Sequence, residues 1–169
     1  FSGWNTISDG SGTTYLDEAN ITMDIEGITL YAQWEINQYN IVFDNNGGTG
    51  TMSNQSVTFD TSTNLTINTL SKLGYTFSGW NTISDGSGTT YLDESNITMD
   101  VEGITLYAQW EINQYTITFN SNNGSPVESI SQDYNSPIIA PEEPTLAGYT
   151  FIGWYSDVEL TILFNFDTM

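Results

Sequence analysis

The chain has 169 residues, no cysteine and no histidine, and a formal charge of −20, because Lys72 is its single cation against 21 acidic residues. The composition therefore excludes disulfides, thiolate ligands, and histidine as a general base or metal ligand. The charge repels phosphate backbones and anionic lipid, and no apolar run approaches the roughly 20 residues of a membrane helix, so we predict neither nucleic-acid binding nor direct membrane insertion.

The chain nearly repeats itself. Residues 1–39 return as residues 77–115, a shift of 76 positions (77 − 1). A third, diverged copy begins at Tyr115, where YTITFNSNNG follows the pattern of YNIVFDNNGG at Tyr39. Because a unique active site is normally built once, close tandem copies favour a role in length, spacing or multiple equal contacts.

The copies predict three segments. Residues 1–38 form the C-terminal part of a repeat, residues 39–114 form a complete repeat, and residues 115–169 form the N-terminal part of a third repeat. The third segment lacks the closing sequence ITLYAQW. Since neither Phe1 nor Met169 coincides with a repeat boundary, we expect the sequence to be a window from a longer repeat protein.

The front of each repeat predicts an antiparallel hairpin. Residues 39–43 and 115–119 alternate apolar and polar side chains, which is typical of a half-buried strand. Asn-rich and Gly-rich turns follow at residues 44–48 and 120–124 and tolerate positive φ. Residues 55–59 are then predicted to be the returning strand.

The middle of each repeat predicts an extended crossover with at most one helical turn. Residues 60–72 have loosely helical apolar spacing, but they are rich in Thr and Asn, which are poor helix formers. The matching stretch of the third repeat contains Pro137, Pro141 and Pro144, which exclude a regular helix there.

The back of the repeat predicts three further strands. Residues 74–80 form the first of these, with a bulge at Gly79. Residues 90–92 form a short strand, and residues 104–110 form the closing strand, with Tyr107 facing away from the buried side.

Four motifs together resemble a known family: YTITFNSNNG, the proline-bearing crossover, GYTFIGWYSD and LYAQW. The chain is similar over its whole length to the Listeria–Bacteroides repeat, also called the internalin B-type B repeat, of bacterial surface proteins. The resemblance implies small β-grasp-like modules strung in tandem on secreted or cell-wall-anchored proteins. The expected fold class is mainly β, with antiparallel or mixed sheets and little or no helix. One departure is the single lysine, which removes the basic surface that acidic glycans would require.

The insert that follows the Trp of the GW motif is a weak Ca²⁺ candidate. It is rich in carboxylate and hydroxyl oxygens, but its middle positions are Ser and Thr where an EF-hand loop would have acidic or amide side chains. The pattern therefore favours a solvated turn and no cofactor. The candidate ligands are Asp9, Asp17, Asp85 and Asp93. Adjacent acids such as Asp17 and Glu18 point to opposite faces of a strand, so no catalytic pair is predicted and the protein is not expected to be an enzyme.

The aromatic residues are predicted to form the core, because a small unit relies on large rings for buried area. The alternative is a sugar-stacking platform. The predicted core residues are Trp4, Trp34, Trp80, Trp110, Trp154, Phe77 and Phe151. The candidate binding residues are the outward tyrosines and the first acid of each insert: Tyr31, Tyr107, Asp9 and Asp85.

These patterns predict a non-catalytic extracellular repeat that forms a stalk, spacer or fibre on the cell surface or on a secreted appendage. The joints at residues 35–38 and 111–114 leave little slack, and Ile36 and Ile112 are predicted to dock into the neighbouring repeat.

Two further hypotheses concern the partners. The segment 28–34 of one molecule could complete the third repeat of the next, which would build a filament of identical copies. Alternatively, the repeated inserts make multivalent contacts with surface glycans or proteins, as in an adhesion module.

Overall fold

The computed structural model describes residues 1–23, 27–99 and 102–166. Within those residues the chain forms no helix, and short strands connected by turns account for its regular structure. The predicted fold class, mainly β with tandem modules, is therefore confirmed. The β-grasp-like arrangement and the three repeat ranges stay predictions. The last predicted range ends at residues 167–169, which lie outside the described residues.

The described residues contain twelve strands. They are β1 (Gly3–Asn5), β2 (Thr14–Tyr15), β3 (Tyr31–Gln33), β4 (Gln38–Asp44), β5 (Gln55–Thr58), β6 (Ser62–Asn64), β7 (Tyr75–Asn81), β8 (Thr90–Tyr91), β9 (Asn96–Thr98), β10 (Ile104–Ile112), β11 (Gln114–Ile117) and β12 (Ile130–Asp133).

The chain divides into two compact units. The first contains Phe1–Val42, Asn54–Thr66 and Ser95–Ile104, and the second contains Phe43–Ser53, Ile67–Glu94 and Thr105–Met169. Strands of the middle repeat form the largest sheet, in the order β5-β4-β10-β7-β8. The smaller sheets are β2-β1-β3, β6-β9 and β11-β12.

Identical sequences form identical pairings. In the first copy Trp4 lies opposite Tyr15 on one neighbouring strand and Ala32 on the other. In the middle copy Trp80 lies opposite the matching residues, Tyr91 and Ala108. All of these strand pairs are antiparallel, so β1, β2 and β3 repeat the arrangement of β7, β8 and β10.

The predicted front hairpin is confirmed. Strands β4 and β5 are antiparallel, with Tyr39 opposite Val57. In the turn after β4, Asn46 has φ 47° and Gly47 has φ 78°, which is the left-handed conformation that Asn and Gly tolerate. The third copy pairs β11 with β12 in the same antiparallel way.

The crossover is extended, as predicted, and no helical turn forms in it among the described residues. It contains the short strand β6, which pairs with β9 and places Thr63 opposite Ile97. Leu65 follows β6 and is only 2% exposed. The apolar spacing at residues 60–72 therefore reflects an extended segment that buries single leucines, not a helix face.

The predicted bulge at Gly79 is confirmed. On β10, Gln109 lies opposite Gly79 and the next residue, Trp110, lies opposite Phe77, so Ser78 is the extra residue of β7. Gly79 has φ 140°, and a Cβ at this position would lie 2.8 Å from the carbonyl oxygen of Tyr91. Only glycine fits there, which is why the bulge is visible in the sequence.

An aromatic cluster forms the core of the middle repeat. Trp80 is 0% exposed, and its ring centroid lies 4.9 Å from that of Phe43 and 5.0 Å from that of Phe77. Leu106 and Ala108, which alternate along β10, are also 0% exposed. The half-buried Trp110 contacts the far side of Phe77 at 5.6 Å.

The same cluster recurs in the other copies. Phe1 lies 5.1 Å from Trp4, and Phe151 lies 5.2 Å from Trp154. Trp4, Trp154 and Phe151 are half-buried, in contrast to the fully buried Trp80. The same Phe–Trp ring geometry therefore recurs in all three copies.

Trp34 does not take the core position predicted for it, because it is 76% exposed. Its counterpart Trp110 donates its indole N–H to the carbonyl oxygen of Asn45 at 3.0 Å and packs against Gly48. Trp34 makes an edge-to-face contact with Phe1, with ring centroids 5.7 Å apart.

Candidate functional site at the repeat joint

The candidate site is the connection between consecutive repeats. Strand β10 ends at Ile112 and β11 begins at Gln114, so Asn113 is the single residue between them. We call residues 112–114 the repeat joint. A connection of one residue gives the two repeats little freedom to move apart. The hydrogen bonds of that residue determine how rigid the connection is.

Asn113 is held by both repeats. Its backbone N–H donates to the carbonyl oxygen of Gly74 at 2.9 Å, and its side-chain oxygen accepts the hydroxyl hydrogen bond of Thr76 at 2.6 Å. Its own carbonyl oxygen accepts the backbone N–H of Tyr134 at 2.7 Å. Asn113 thus connects the start of β7 in the middle repeat with the end of β12 in the third repeat.

The ring of Tyr134 covers Gly74. Gly74 has φ 78°, and a Cβ at this position would overlap the Tyr134 ring. The same ring makes an edge-to-face contact with Tyr115 of β11, with centroids 6.3 Å apart. An aromatic side chain of the third repeat therefore packs directly on the backbone of the middle repeat.

Polar contacts surround this packing. Gln114 donates its side-chain amide to the Asp133 carboxylate at 2.9 Å, which links β11 to β12. The ammonium of Lys72 lies 4.5 Å from the ring centroid of Tyr75, a cation–π distance. The only cation in the sequence therefore lies next to the residues that lead into the joint.

The preceding joint has the same contacts on its downstream side. The carbonyl oxygen of Asn37 accepts the backbone N–H of Phe59 at 2.9 Å, as Asn113 does from Tyr134. Tyr39 and Phe59 make an edge-to-face contact at 6.4 Å. The hydrogen bond to the Asn carbonyl oxygen and the aromatic pair thus recur at both joints.

The positions of the joints were predicted from the sequence, but the residues predicted to hold them were wrong. Ile36 was predicted to dock into the neighbouring repeat, but it is 60% exposed. Ile112 is half-buried and lies opposite Tyr75 in the β10–β7 pair, inside its own repeat. Asn113, Tyr134 and Gly74 were missed. The one available signal was the asparagine that recurs at the same place in Ile-Asn-Gln.

A buried asparagine organises the insert loop at residues 82–89. Asn81 is 1% exposed, and its side chain bonds to its own loop and to β8. Its amide nitrogen donates to the carbonyl oxygens of Gly86 and Gly88 and to the Thr90 hydroxyl, at 3.0, 3.2 and 3.0 Å. Its side-chain oxygen accepts the backbone N–H groups of Ile83 and Gly88, at 2.9 and 3.0 Å. Asn5 makes the matching contacts in the first copy.

Replacing Asn81 with aspartate should unfold this loop. The change keeps the acceptor oxygen but places a carboxylate oxygen against the carbonyl oxygens of Gly86 and Gly88, which lose their donor. We expect the free energy of unfolding to fall by about 2–3 kcal/mol. Urea unfolding followed by circular dichroism measures it. Asn54→Asp, at an exposed position, adds the same charge and is the matched control. An equal loss in both variants would contradict the role of Asn81.

The candidate calcium ligands are spread along the loops. Asp9 and Asp85 are fully exposed, and hydrogen bonds from Ser11 and Ser87 respectively hold the pKa of each carboxyl below its ordinary value. Asp17 accepts the indole N–H of Trp4 at 3.4 Å, and the carboxylate of Asp93 accepts the backbone N–H of a residue in the crossover at 3.0 Å. The described residues bring no three acidic side chains together as a metal site would need.

The lowered pKa of Asp9 and Asp85 makes the folded state more stable at neutral pH than at acidic pH. A carboxyl whose pKa is lower in the folded state stabilises that state above its unfolded pKa of about 3.9, and this contribution is lost as the pH falls through the folded pKa. The insert loops therefore keep these hydrogen bonds at neutral pH.

The tyrosines proposed for binding differ in exposure. Tyr31 is 43% exposed, whereas Tyr107 is half-buried and lies opposite Asn81 in the β10–β7 pair. A ligand would reach the ring of Tyr31 more readily. The binding role of both residues stays a prediction.

Comparison with known proteins identifies the family. The model of the Listeria-Bacteroides repeat domain matches residues 1–33, 39–109 and 115–169. The chain belongs to the Listeria-Bacteroides repeat family. The resemblance seen in the sequence motifs is confirmed, and the family is a structural domain type.

Relatives carry this repeat in longer chains. A protein of Evansella cellulosilytica named as a Gly-rich membrane protein is 43% identical over 176 aligned residues, covering 99% of this chain and 20% of the relative. Internalin H of Listeria monocytogenes is 43% identical over 84 residues, covering 50% of this chain and 15% of the internalin. The chain thus spans about a fifth or less of these relatives. No solved structure matches it. Across the described residues, no helix is long and apolar enough to cross a membrane.

Proposed function

We propose that this chain is a non-catalytic structural segment of a bacterial surface protein, in which tandem repeats form a stiff stalk, spacer or fibre outside the cell. The observation that supports this most directly is the clamp on Asn113. A single connecting residue, bonded to the repeats on both sides, makes consecutive repeats move together.

The balance of hydrogen bonding against conformational entropy favours a rigid joint. Fixing the backbone of one connecting residue costs about 1–2 kcal/mol of conformational entropy. The three hydrogen bonds of Asn113 contribute about 0.5–1.5 kcal/mol each, and the Tyr134 ring on Gly74 adds apolar burial. At central values the hydrogen bonds offset the entropy cost, which supports an ordered joint.

The location outside the cell is supported by the relatives. Two of them are named as membrane proteins and a third is an internalin. In such a protein, a row of stiff tandem modules would hold other domains away from the cell envelope. The strongly negative charge also disfavours collapse onto anionic lipid.

Inserting a flexible linker should destroy the stiffness. With Gly-Ser-Gly-Ser placed after Asn113, β10 and β11 separate and Tyr134 loses its position on Gly74. We expect small-angle X-ray scattering to give a narrow distribution of the radius of gyration for the unaltered chain and a broad distribution for the variant. The same insertion after Ser53, in the β4–β5 hairpin loop, is the control and should keep the narrow distribution. A broad distribution for the unaltered chain would contradict the proposal.

An adhesion module is the second candidate function. The insert loops are fixed by Asn5 and Asn81 and present the exposed acids Asp9 and Asp85 twice in the same geometry, which suits weak multivalent contacts. Saturable binding to a glycan array, lost in the Asn81→Asp variant, would favour this function over that of a spacer.

A further inference from the structure

The first and last strands of the middle repeat lie side by side and run parallel. In the largest sheet β4 is hydrogen-bonded to β10. Directly before β10, a Cβ on Gly103 would lie 2.6 Å from the carbonyl oxygen of Asn40. Further along both segments, the side-chain amide of Asn46 donates to the carbonyl oxygen of Ala108 at 2.9 Å. Because the residue numbers rise together, the β4–β10 pair is parallel, whereas β4–β5 and β10–β7 are antiparallel.

The repeat joints place the two ends of this parallel pair under tension. When a row of repeats is stretched, the force enters the middle repeat through Asn37, directly before β4, and leaves through Asn113, directly after β10. In a parallel pair these two points lie at opposite ends of the strands. The force therefore acts along the strands and loads all their hydrogen bonds together. A force that peeled the strands apart would instead break the bonds one after another.

Hydrogen bonds at the joints also transfer part of the tension to the flanking strands. The carbonyl oxygen of Asn37 accepts the backbone N–H of Phe59, directly after β5, at 2.9 Å. The backbone N–H of Asn113 donates to the carbonyl oxygen of Gly74, directly before β7, at 2.9 Å. Strands β5 and β7 flank the β4–β10 pair in the sheet. The two stretched strands are thus supported on their outer sides.

Side chains bind the turn after β4 to β10. Besides its bond to Ala108, the amide of Asn46 donates to the carbonyl oxygen of Ser84 in the insert loop at 2.8 Å. The indole N–H of Trp110 donates to the carbonyl oxygen of Asn45 at 3.0 Å. For β4 to slide along β10, these side-chain bonds must break together with the backbone bonds of the pair.

One face of the pair is shielded from water. Ile41 and Phe43 on β4 are 0% and 8% exposed, and Leu106 and Ala108 on β10 are both 0% exposed. Hydrogen bonds in a medium of low dielectric constant are stronger than in water, and water reaches them less readily to replace them. The buried face therefore favours the intact pair under tension.

We propose that the β4–β10 pair carries tension through the repeat and that Asn46 holds the pair against sliding. The proposal deepens and rests on the proposed stalk function, because it names the contact that resists stretching of the stalk. Parallel strands need a long crossover connection, which residues 45–103 supply here. That connection stays folded as long as the pair is intact.

Two directions of pulling on the full chain test this proposal. The chain has no cysteine, so introduced cysteines at exposed positions define where force is applied. Ile36→Cys with Gln114→Cys pulls the pair from opposite ends, and Ile36→Cys with Glu102→Cys pulls it from one end. Because the bonds of a parallel pair are evenly spaced and load together, the rupture force should be at least about twofold higher from opposite ends. Equal rupture forces in single-molecule force spectroscopy would overturn the proposal.

The Asn46→Asp variant tests the role of the side chain. Asn46 has φ 47°, a conformation that Asp also tolerates, but the carboxylate cannot donate to Ser84 and Ala108. The rupture force from opposite ends should fall by at least about a quarter, because two of the bonds that break together are lost. The force from one end should stay unchanged, because Asn46 lies far from that end. Asn54→Asp adds the same charge at an exposed position and is the matched control.

An equal fall of the rupture force in both directions, or the same fall in Asn54→Asp, would overturn the role of Asn46. The rigidity of the joint is measured separately, by scattering with and without the Gly-Ser-Gly-Ser insertion. A rigid joint with equal rupture forces would reject the tension proposal alone. A flexible joint with a higher rupture force from opposite ends would reject the stiff stalk alone.

Discussion

Replacing Trp80 with alanine is expected to remove a large part of the stability of the middle repeat. The side chain is 0% exposed and contacts Phe43 and Phe77. Truncating a fully buried tryptophan costs about 3–5 kcal/mol. A folded unit of about 76 residues has a total stability of roughly 4–11 kcal/mol. Urea unfolding followed by far-ultraviolet circular dichroism should show the free energy of unfolding of the middle repeat lowered by about 3–5 kcal/mol.

The chain supplies its own control for this change. Trp34 has the same residue type but is 76% exposed, so Trp34→Ala should change the free energy of unfolding by less than about 1 kcal/mol. The indole N–H of Trp80 is buried and makes no hydrogen bond to the described residues, so its contribution is packing. Equal losses in the two variants would show that the aromatic cluster is not the core.

Replacing Gly74 with alanine is expected to break the repeat joint. The new Cβ overlaps the Tyr134 ring, and alanine is strained at φ 78°. The backbone strain costs about 1–2 kcal/mol, and displacing the ring adds about 1–3 kcal/mol. Hydrogen exchange of the amides of Asn113 and Tyr134 should accelerate, because both hydrogen bonds depend on the same docking.

The Gly148→Ala variant separates the effect of backbone strain from the effect of contact with the Tyr134 ring. Gly148 has φ 83°, close to that of Gly74, but a Cβ there meets nothing within 4 Å. This variant should show the backbone strain alone and leave the exchange of the Asn113 and Tyr134 amides unchanged. If both alanine variants accelerate that exchange equally, the Tyr134 ring does not hold the joint.

Local chemistry made much of the fold predictable from sequence. The turn at Asn46 and Gly47 and the bulge at Gly79 require residues that adopt positive φ, and few residue types do so. The alternation along residues 104–110 likewise placed Leu106 and Ala108 on the buried face. Features that depend on the residue type at one position, or on a period of two, leave a clear sequence pattern.

Features that depend on distant partners were not predictable. Trp110 donates its indole N–H to the carbonyl oxygen of Asn45, which lies 65 residues earlier in the chain. The joint was located by its short length, but its strength comes from Tyr134 packing on Gly74, which are 60 residues apart (134 − 74). Neither residue carries a local signal of that contact, and Ile36, which looked suited to docking, is exposed.

The rigidity of the joint is the claim on which the proposed function depends, and one distance distribution tests it most directly. The chain has no cysteine, so Ser78→Cys and Val158→Cys, both at exposed positions, place one spin label in the middle repeat and one in the third. Double electron–electron resonance on the otherwise unaltered chain should give a single narrow distance distribution. A broad distribution, equal to that of the chain with Gly-Ser-Gly-Ser after Asn113, would contradict the account.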